Sequence, residues 1–257
     1  MLRRPLKNLV KALPIFALLI LWEIVPPFFH VPELLFPRLS VVVARFFADF
    51  PSIEFNSAIT GTALLYGFLI AAVFGAVLAL VVSYVEWLRG ALEPVILTSQ
   101  VIPKVALVPL LLTWVGLGLE SKTIITAIIA FFPVYEGLRT GVRRVNPDIL
   151  LQARLLGQSE LSQLLFIRVP FAMPGLFVGL KTSALYAVIG VVVAEFLASG
   201  DGIGFSIVDR MGRSDTVGAF AYIAAITLIG LVGYYAIAIV EAFVLSMLRL
   251  RRDHTIL

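Results

Sequence analysis

The chain has 257 residues, 60% hydrophobic and 14% charged, a net charge of +4 and no cysteine. Its mean hydropathy is +1.03. Soluble domains are roughly one quarter charged, so this composition excludes a water-soluble globule and makes the bilayer the natural solvent. The absent cysteine excludes thiol chemistry, disulfides and Cys-ligated metal.

Spanning segments must satisfy their own backbone groups, so the expected class is all-α and polytopic. A basic stretch (Arg3, Arg4, Lys7, Lys11) precedes a first apolar run at residues 13–29. Trp22-Glu23-Ile24-Val25-Pro26-Pro27 offers no small-residue cleavage site, so this run reads as a retained signal anchor. Residues 38–50 are too short and too charged to span, and read as an amphipathic helix at the membrane surface. Further spans are expected at 59–82, 95–115, 123–138, 171–197 and 220–245, making about six. Each approaches or exceeds the ~20 residues that cross ~30 Å of hydrocarbon. On the second span Ala71, Gly75 and Ala79 recur every fourth residue, which marks a packing seam. One domain over 1–257 is the simplest organisation.

Charge bias sets the orientation. With the N-terminus inside, the inner segments hold Arg3, Arg4, Lys7, Lys11, Arg89, Arg139, Arg143, Arg144, Arg154, Arg168, Arg249, Arg251 and Arg252. The outer segments hold only Arg38, Arg45, Lys122, Arg210 and Arg213. Both termini, and the long loop between spans four and five, are therefore expected in the cytoplasm. The basic residues flank spans without interleaved aromatics, so the charge does not indicate nucleic-acid binding.

Catalytic signatures are missing. His30 and His254 are the two histidines, and no H-E-x-x-H, G-x-S-x-G or carboxylate pair occurs. Gly175-Leu-Phe-Val-Gly179-Leu-Lys181-Thr182 falls short of a phosphate loop, which needs four residues between its glycines and Lys directly after the second. No catalytic residue, metal ligand or cofactor is expected in this chain.

Charges within spans are the residues to watch. Lys104 stands between Pro103 and Pro109, and broken helices beside prolines expose backbone to a cavity. Its readings are an anion contact in a pathway, an ion pair or contact with freed carbonyls, or snorkelling. Glu195 either gates an exit or holds the Gly200–Gly204 turn, a loop that also includes Ser199. Glu241 reads as interfacial, and neither carboxylate is expected to be paired. Tyr84, Thr113, Ser183 and Tyr186 are path-lining groups or interhelical hydrogen bonds.

The cytoplasmic loop at about 139–170 is the most informative segment. Asn146-Pro147-Asp148 is a helix start, with Asn as N-cap and Pro at the first position. Gly157 ends that short helix with left-handed geometry. Ser159 starts a second one, and Pro170 is expected to stop it. The plain reading is an interfacial hairpin, and the sharper one is a docking knuckle for a soluble partner.

At this point the sequence resembles a family, the bacterial ABC import permeases. Their loop signature is Glu-Ala-Ala, three residues, Gly, nine residues, Ile, one residue, Leu-Pro. Ala153, Gly157, Ile167 and Pro170 stand at that spacing, with Val169 for Leu. Leu151 replaces the Glu and Gln152 the first Ala. Ile102-Pro-Lys-Val-Ala-Leu-Val-Pro-Leu110, Trp114-Val-Gly-Leu-Gly118, Phe131-Phe-Pro-Val134, Val193-Ala-Glu-Phe196 and Ser199-Gly-Asp-Gly-Ile-Gly-Phe205 are similar to the nitrate/sulfonate/taurine branch.

The resemblance implies a type I importer in a bacterial inner membrane. Two permease copies, most simply a homodimer, would form the pathway within membrane lipid. Two ABC ATPase subunits, which bind ATP and Mg, would receive the loops at Gln152, Ala153, Arg154, Gly157, Ile167 and Pro170. Arg154 with Arg143 or Arg144 would meet acidic groups there, or would serve snorkelling and topology alone. A periplasmic or lipid-anchored substrate-binding protein would deliver a small, anionic solute such as nitrate, a sulfonate, taurine or bicarbonate. Lys104, Pro103, Pro109 and Glu195 are the pathway candidates. Leu151 leaves a polar contact or helix-capping role of the signature unfilled, without removing the helix. The rival readings are a lone secondary carrier or channel, which needs coupling-ion carboxylates in its spans, and a membrane enzyme, which needs clustered His, Asp or Glu.

Overall fold

The computed structural model describes residues 3–198 and 200–248, with side chains at 13–197 and 200–248. The side chains of Arg3, Arg4, Lys7 and Lys11, the loop residue Ser199, and Arg249, Arg251, Arg252 and His254 lie outside the described set.

The described regular elements are helices. They are α1 (Arg3–Phe28), α2 (Leu39–Ala48), α3 (Phe50–Tyr84), α4 (Glu86–Ser99), α5 (Val108–Val115), α6 (Leu119–Arg143), α7 (Pro147–Leu155), α8 (Glu160–Gln163), α9 (Val169–Ala198), α10 (Ile203–Gly212) and α11 (Thr216–Met247). The long helices α3, α6 and α11, and α9 with the turns leading into it, are long and apolar enough to cross a membrane, and α4 with α5 forms a bent fifth. The apolar stretch Leu13–Phe28 of α1 is shorter. Six spans are thus an approximate description.

The third expected span, 95–115, is not one straight helix. It begins earlier, at Glu86, and is bent by 86° before a 3-10 turn at Lys104–Leu107. Pro103 denies the chain a backbone donor and disfavours helical geometry at Ile102 before it. Pro109 then sits in the first turn of α5, where no donor is needed.

The fourth span is longer than expected, running on both sides beyond 123–138. Lys122 and Arg139 do not end it because each finds carboxylates within the fold.

Helix α6 is the centre of the bundle, with α3 on one side and α9 on the other. The seam expected on α3 is real: Ala63, Ala71 and Ala79 are fully buried at four-residue multiples. A Cβ on Gly75 would lie 2.6 Å from the Phe131 carbonyl oxygen. Against α9 the approach is as close, since a Cβ on Gly137 would lie 2.5 Å from the Gly175 carbonyl oxygen. The glycines of the phosphate-loop look-alike are therefore packing residues.

The peripheral helices are tied on by polar contacts. Helix α2 has no side-chain cap of its own at Arg38, and Glu23 of α1 serves instead. It accepts from the Ser40 N–H at 2.9 Å and the Ser40 hydroxyl at 2.7 Å. Trp22 stacks on Phe36 and donates its indole N–H to the Pro37 carbonyl. Arg45 and Arg210 both pair with Asp49 and Asp215, joining α2, α10 and the starts of α3 and α11. Burial opposes ionisation of Asp215, but the Gly218 N–H, Arg210 and Arg45 outweigh it and hold the carboxyl below its usual range.

Close approach at Gly137 gives the first prediction. Gly137→Val should lower the thermal midpoint of the purified protein, by about 1–3 kcal/mol of overpacking or more. Gly61→Ala, where a Cβ meets nothing within 4 Å, should be neutral or stabilising by about 0.4–1 kcal/mol. Melting curves of the two variants in one detergent decide it.

Candidate functional site

The hairpin after α6 folds as its sequence dictates. The Asn146 side-chain oxygen accepts the Asp148 N–H at 2.9 Å, with Pro147 opening α7. At the other end Gly157 has φ +81°. Its N–H donates to the Arg154 carbonyl at 2.9 Å, and the Gln158 N–H to the Ala153 carbonyl at 3.0 Å. That pair of reversed bonds is the glycine-stopped helix end. A Cβ on Gly157 would meet nothing, so the backbone angle alone demands glycine. Ser159 then caps α8, accepting the Ser162 N–H at 3.2 Å. Arg154 closes the hairpin by pairing with Glu160 at 3.1 Å.

The burial pattern gives the hairpin a tip. Ala153 is buried, whereas Leu155 and Leu156 are 79% and 83% exposed beside the turn. Gln152 is exposed, and Ile167 is half-buried.

Pro170 does not end the second helix. Helix α8 passes through a π-helical turn at Leu164–Arg168 and continues as α9, with Pro170 at its second residue. The widened turn provides room for the proline ring, which an α-turn would deny.

Arginines at the base of the hairpin find partners within the chain. Arg139 pairs with Glu93 of α4 and, at 3.0 Å, with Glu136. Arg143 reaches Glu93 at 3.3 Å, and the Thr140 hydroxyl donates to Glu136 at 2.9 Å. The sequence reading missed both carboxylates. A signal existed for one of them, because Glu136 stands three residues before Arg139 on a helix face.

The bent span lines a groove of about 430 Å³ that contains Gln100, Pro103, Lys104, Ile129 and Tyr186. It shares Phe132, Pro133 and Tyr186 with a second concavity of about 510 Å³, which holds Glu136, Thr140, Arg144 and Thr182. The two make one concave face from the bend to the base of the hairpin. The Lys104 ammonium donates to the Gln100 side-chain oxygen at 2.6 Å and lies 5.5 Å from the Phe131 ring centre. Pro103 and Lys104 thus meet in the groove, whereas Pro109 and Glu195 do not line it.

Glu195 is fully buried elsewhere, in a network with the α9–α10 turn. It accepts from the Thr60 hydroxyl at 2.9 Å and the Gly204 N–H at 2.8 Å, and Lys122 lies 3.8 Å away. Gly202, at φ +100°, sits so close that any Cβ would strike the Glu195 carboxylate. The expectation that Glu195 and Glu241 are unpaired is overturned, since Lys181 pairs with Glu241 at 2.7 Å. A charge that enters a bundle is costly without a partner, and each carboxylate has a lysine one helix away. Among the other polar candidates, Ser183 donates to the Ala130 carbonyl across helices, Thr113 bonds back to Pro109, and Tyr84 is half-exposed.

Several apolar spans, a broken one lining a groove, and a capped hairpin outside the bundle are the architecture of a polytopic membrane protein. Residues 71–246 match the family described as binding-protein-dependent transport system inner membrane component, and the chain belongs to that family of ABC transporter permeases. A probable ABC transporter permease of Haemophilus influenzae is 30% identical over 86% of this chain and 90% of its own. A riboflavin transport system permease of Chloroflexus aurantiacus is 30% identical over 87% and 84%. A putative aliphatic sulfonates transport permease of Bacillus subtilis is 31% identical over 64% and 59%. These likenesses place the chain in the nitrate/sulfonate/taurine branch, as a transport subunit and not an enzyme.

The buried carboxylate network sets the second prediction. Glu195→Leu leaves Thr60, Gly204 N–H and one of the Lys122 contacts without their acceptor, and should cost about 3–5 kcal/mol. Glu195→Gln keeps an acceptor oxygen and should cost less. Protease cleavage at the Gly200–Gly204 turn, measured beside thermal melting, should rise in the Leu variant first.

Proposed function

We propose that this chain moves a small anionic solute into the cytoplasm as one of two identical permease copies, driven by a separate ATPase that holds ATP and Mg. The observation that carries the reading is the hairpin tip. Leu155 and Leu156 stand out of the fold beside a glycine turn that needs no other side chain. Apolar residues so presented on a rigid, doubly capped hairpin suit a groove on a soluble partner. The segment 139–170 is the coupling loop in this reading, with Gln152, Ala153, Arg154 and Gly157 at the contact. Ile167 and Pro170 carry its motion into α9. Arg154 is held by Glu160 and Arg143 by Glu93, so neither is a bare cation for the ATPase, and Arg144 faces the groove. A periplasmic or lipid-anchored binding protein delivers the solute, and both termini lie in the cytoplasm, a reading that the charge bias supports. The chain itself carries no cofactor.

Lys104 supports an anionic solute, because it is a cation in a groove beside a broken span. The name of the riboflavin relative, together with Phe132 and Tyr186 in the groove, favours a second reading, a flat heterocycle.

Co-purification from the native host tests the first reading. The wild type should bring down a soluble ATPase in stoichiometric amount, and Gly157→Trp should lose it. The variant strains the turn by about 1–2 kcal/mol and adds bulk at the tip. Retention of the ATPase by the variant, or its absence from the wild type, sinks the coupling role. Uptake of nitrate, methanesulfonate and riboflavin by the reconstituted complex separates the solute classes. Lys104→Gln should lower uptake of the anions about tenfold or more and leave riboflavin uptake unchanged.

A further inference from the structure

Three lysines lie within the spans, and they are not alike. Lys122 is 2.6 Å from Asp201 and 3.8 Å from Glu195, and Lys181 is 2.7 Å from Glu241. Lys104 instead has an amide oxygen at 2.6 Å and a ring face at 5.5 Å. Among the described residues no carboxylate pairs with it. Glu136, further along the same concave face, is already engaged by Arg139 and Thr140.

An amide oxygen and an aromatic face hold an ammonium in place without cancelling its charge. Gln100 is itself oriented, because its amide nitrogen donates to the Ser99 hydroxyl at 3.1 Å, which turns its oxygen toward Lys104. Gln100 ends α4 directly before the bend, Lys104 follows it, and both line the groove. A carboxylate at position 100 would fit the same space and would close the kind of pair seen at Lys122 and Lys181.

We infer that Gln100 sets the charge selectivity of this groove: its neutral amide positions Lys104 while leaving the ammonium's charge to be met by an anionic solute. Gln100 is a positioning residue here, acting through Lys104. The inference rests on the importer reading above and names the residue that tunes it.

The test uses the full chain with its co-purified partners in lipid nanodiscs, as wild type, Gln100→Glu and Gln100→Met. The probe is trinitrobenzenesulfonate, an anion that reacts with free amines, read by mass spectrometry at each lysine. Lys104 should be modified faster than Lys122 and Lys181, and methanesulfonate should protect it while riboflavin does not. Gln100→Glu should slow modification of Lys104 about tenfold or more and abolish the protection. Gln100→Met should keep the labelling rate within about threefold of wild type, because it adds no charge, but should weaken the protection by methanesulfonate, because the ammonium loses the acceptor that positions it. Three results overturn the inference. They are equal labelling in wild type and Gln100→Glu, a loss in Gln100→Met as large as in Gln100→Glu, and failure of methanesulfonate to protect. A carboxylate supplied to Lys104 by the second copy would show as that last result. The ATPase is scored on the same sample. Its absence beside the expected labelling sinks the importer reading alone, and its presence beside unprotected Lys104 sinks this inference alone.

Discussion

Backbone contact between α6 and α9 is the constraint on which the rest of the structure depends. In lipid there is no hydrophobic drive to bring helices together, so the attraction must come from atoms at van der Waals range. Gly137, Gly175 and Gly179 supply that range, with a carbonyl of one helix against the α-carbon of the other. The two helices are joined by the hairpin, so their crossing fixes both of its ends. The same pair forms the groove, since Phe132 and Pro133 come from α6 and Tyr186 from α9. Pro133 also leaves the Ile129 carbonyl without its intrahelical donor, and both residues line that groove. Packing seam, groove and hairpin base are therefore one piece of structure.

Charge placement follows from this geometry. Each buried ion pair joins different elements: Lys122 to Glu195 across α6 and α9, Lys181 to Glu241 across α9 and α11, Arg139 to Glu93 across α6 and α4. A buried pair is weak as a source of stability, but losing one partner is expensive, so such pairs act as pins that fix register. Lys104 departs from this rule. A ring and an amide, not a carboxylate, hold it, at the bend where the bundle opens into the groove.

Much of this was legible in the sequence, and the misses have a common cause. Local chemistry is legible where the partner is near in the chain. Asn146, Pro147 and Gly157 announce the hairpin because caps and turns are satisfied within a few residues. Ala71, Gly75 and Ala79 announce a seam because helical spacing repeats. The pairing of Glu195 and Glu241 was illegible, since their lysines stand 73 and 60 residues away in sequence and only the helix crossing brings them together. Pro170 misleads for a related reason. A proline reads as a stop when the helix before it is taken as α-helical, and a π-turn changes the room around its ring. The 86° bend was half legible: Pro103 and Pro109 announce a break but not its angle.

The arrangement also explains how a push on the hairpin reaches the groove under the importer reading. Arg139 and Arg143 stand where α6 gives way to the hairpin, and both reach Glu93 on α4. Glu93 lies two helical turns before Gln100, about 10 Å along α4, with Pro94 inside the helix directly after it. Under that reading, displacement of the hairpin base would shift α4 and Gln100 at its end. Lys104 lies beyond the bend, on a 3-10 turn that leads into α5 and is not part of α4. The contact between Gln100 and Lys104 spans the break, so its 2.6 Å hydrogen bond is where relative motion of the two halves is felt most directly. A solute anion held by Lys104 would be gripped or released as that bond forms and parts.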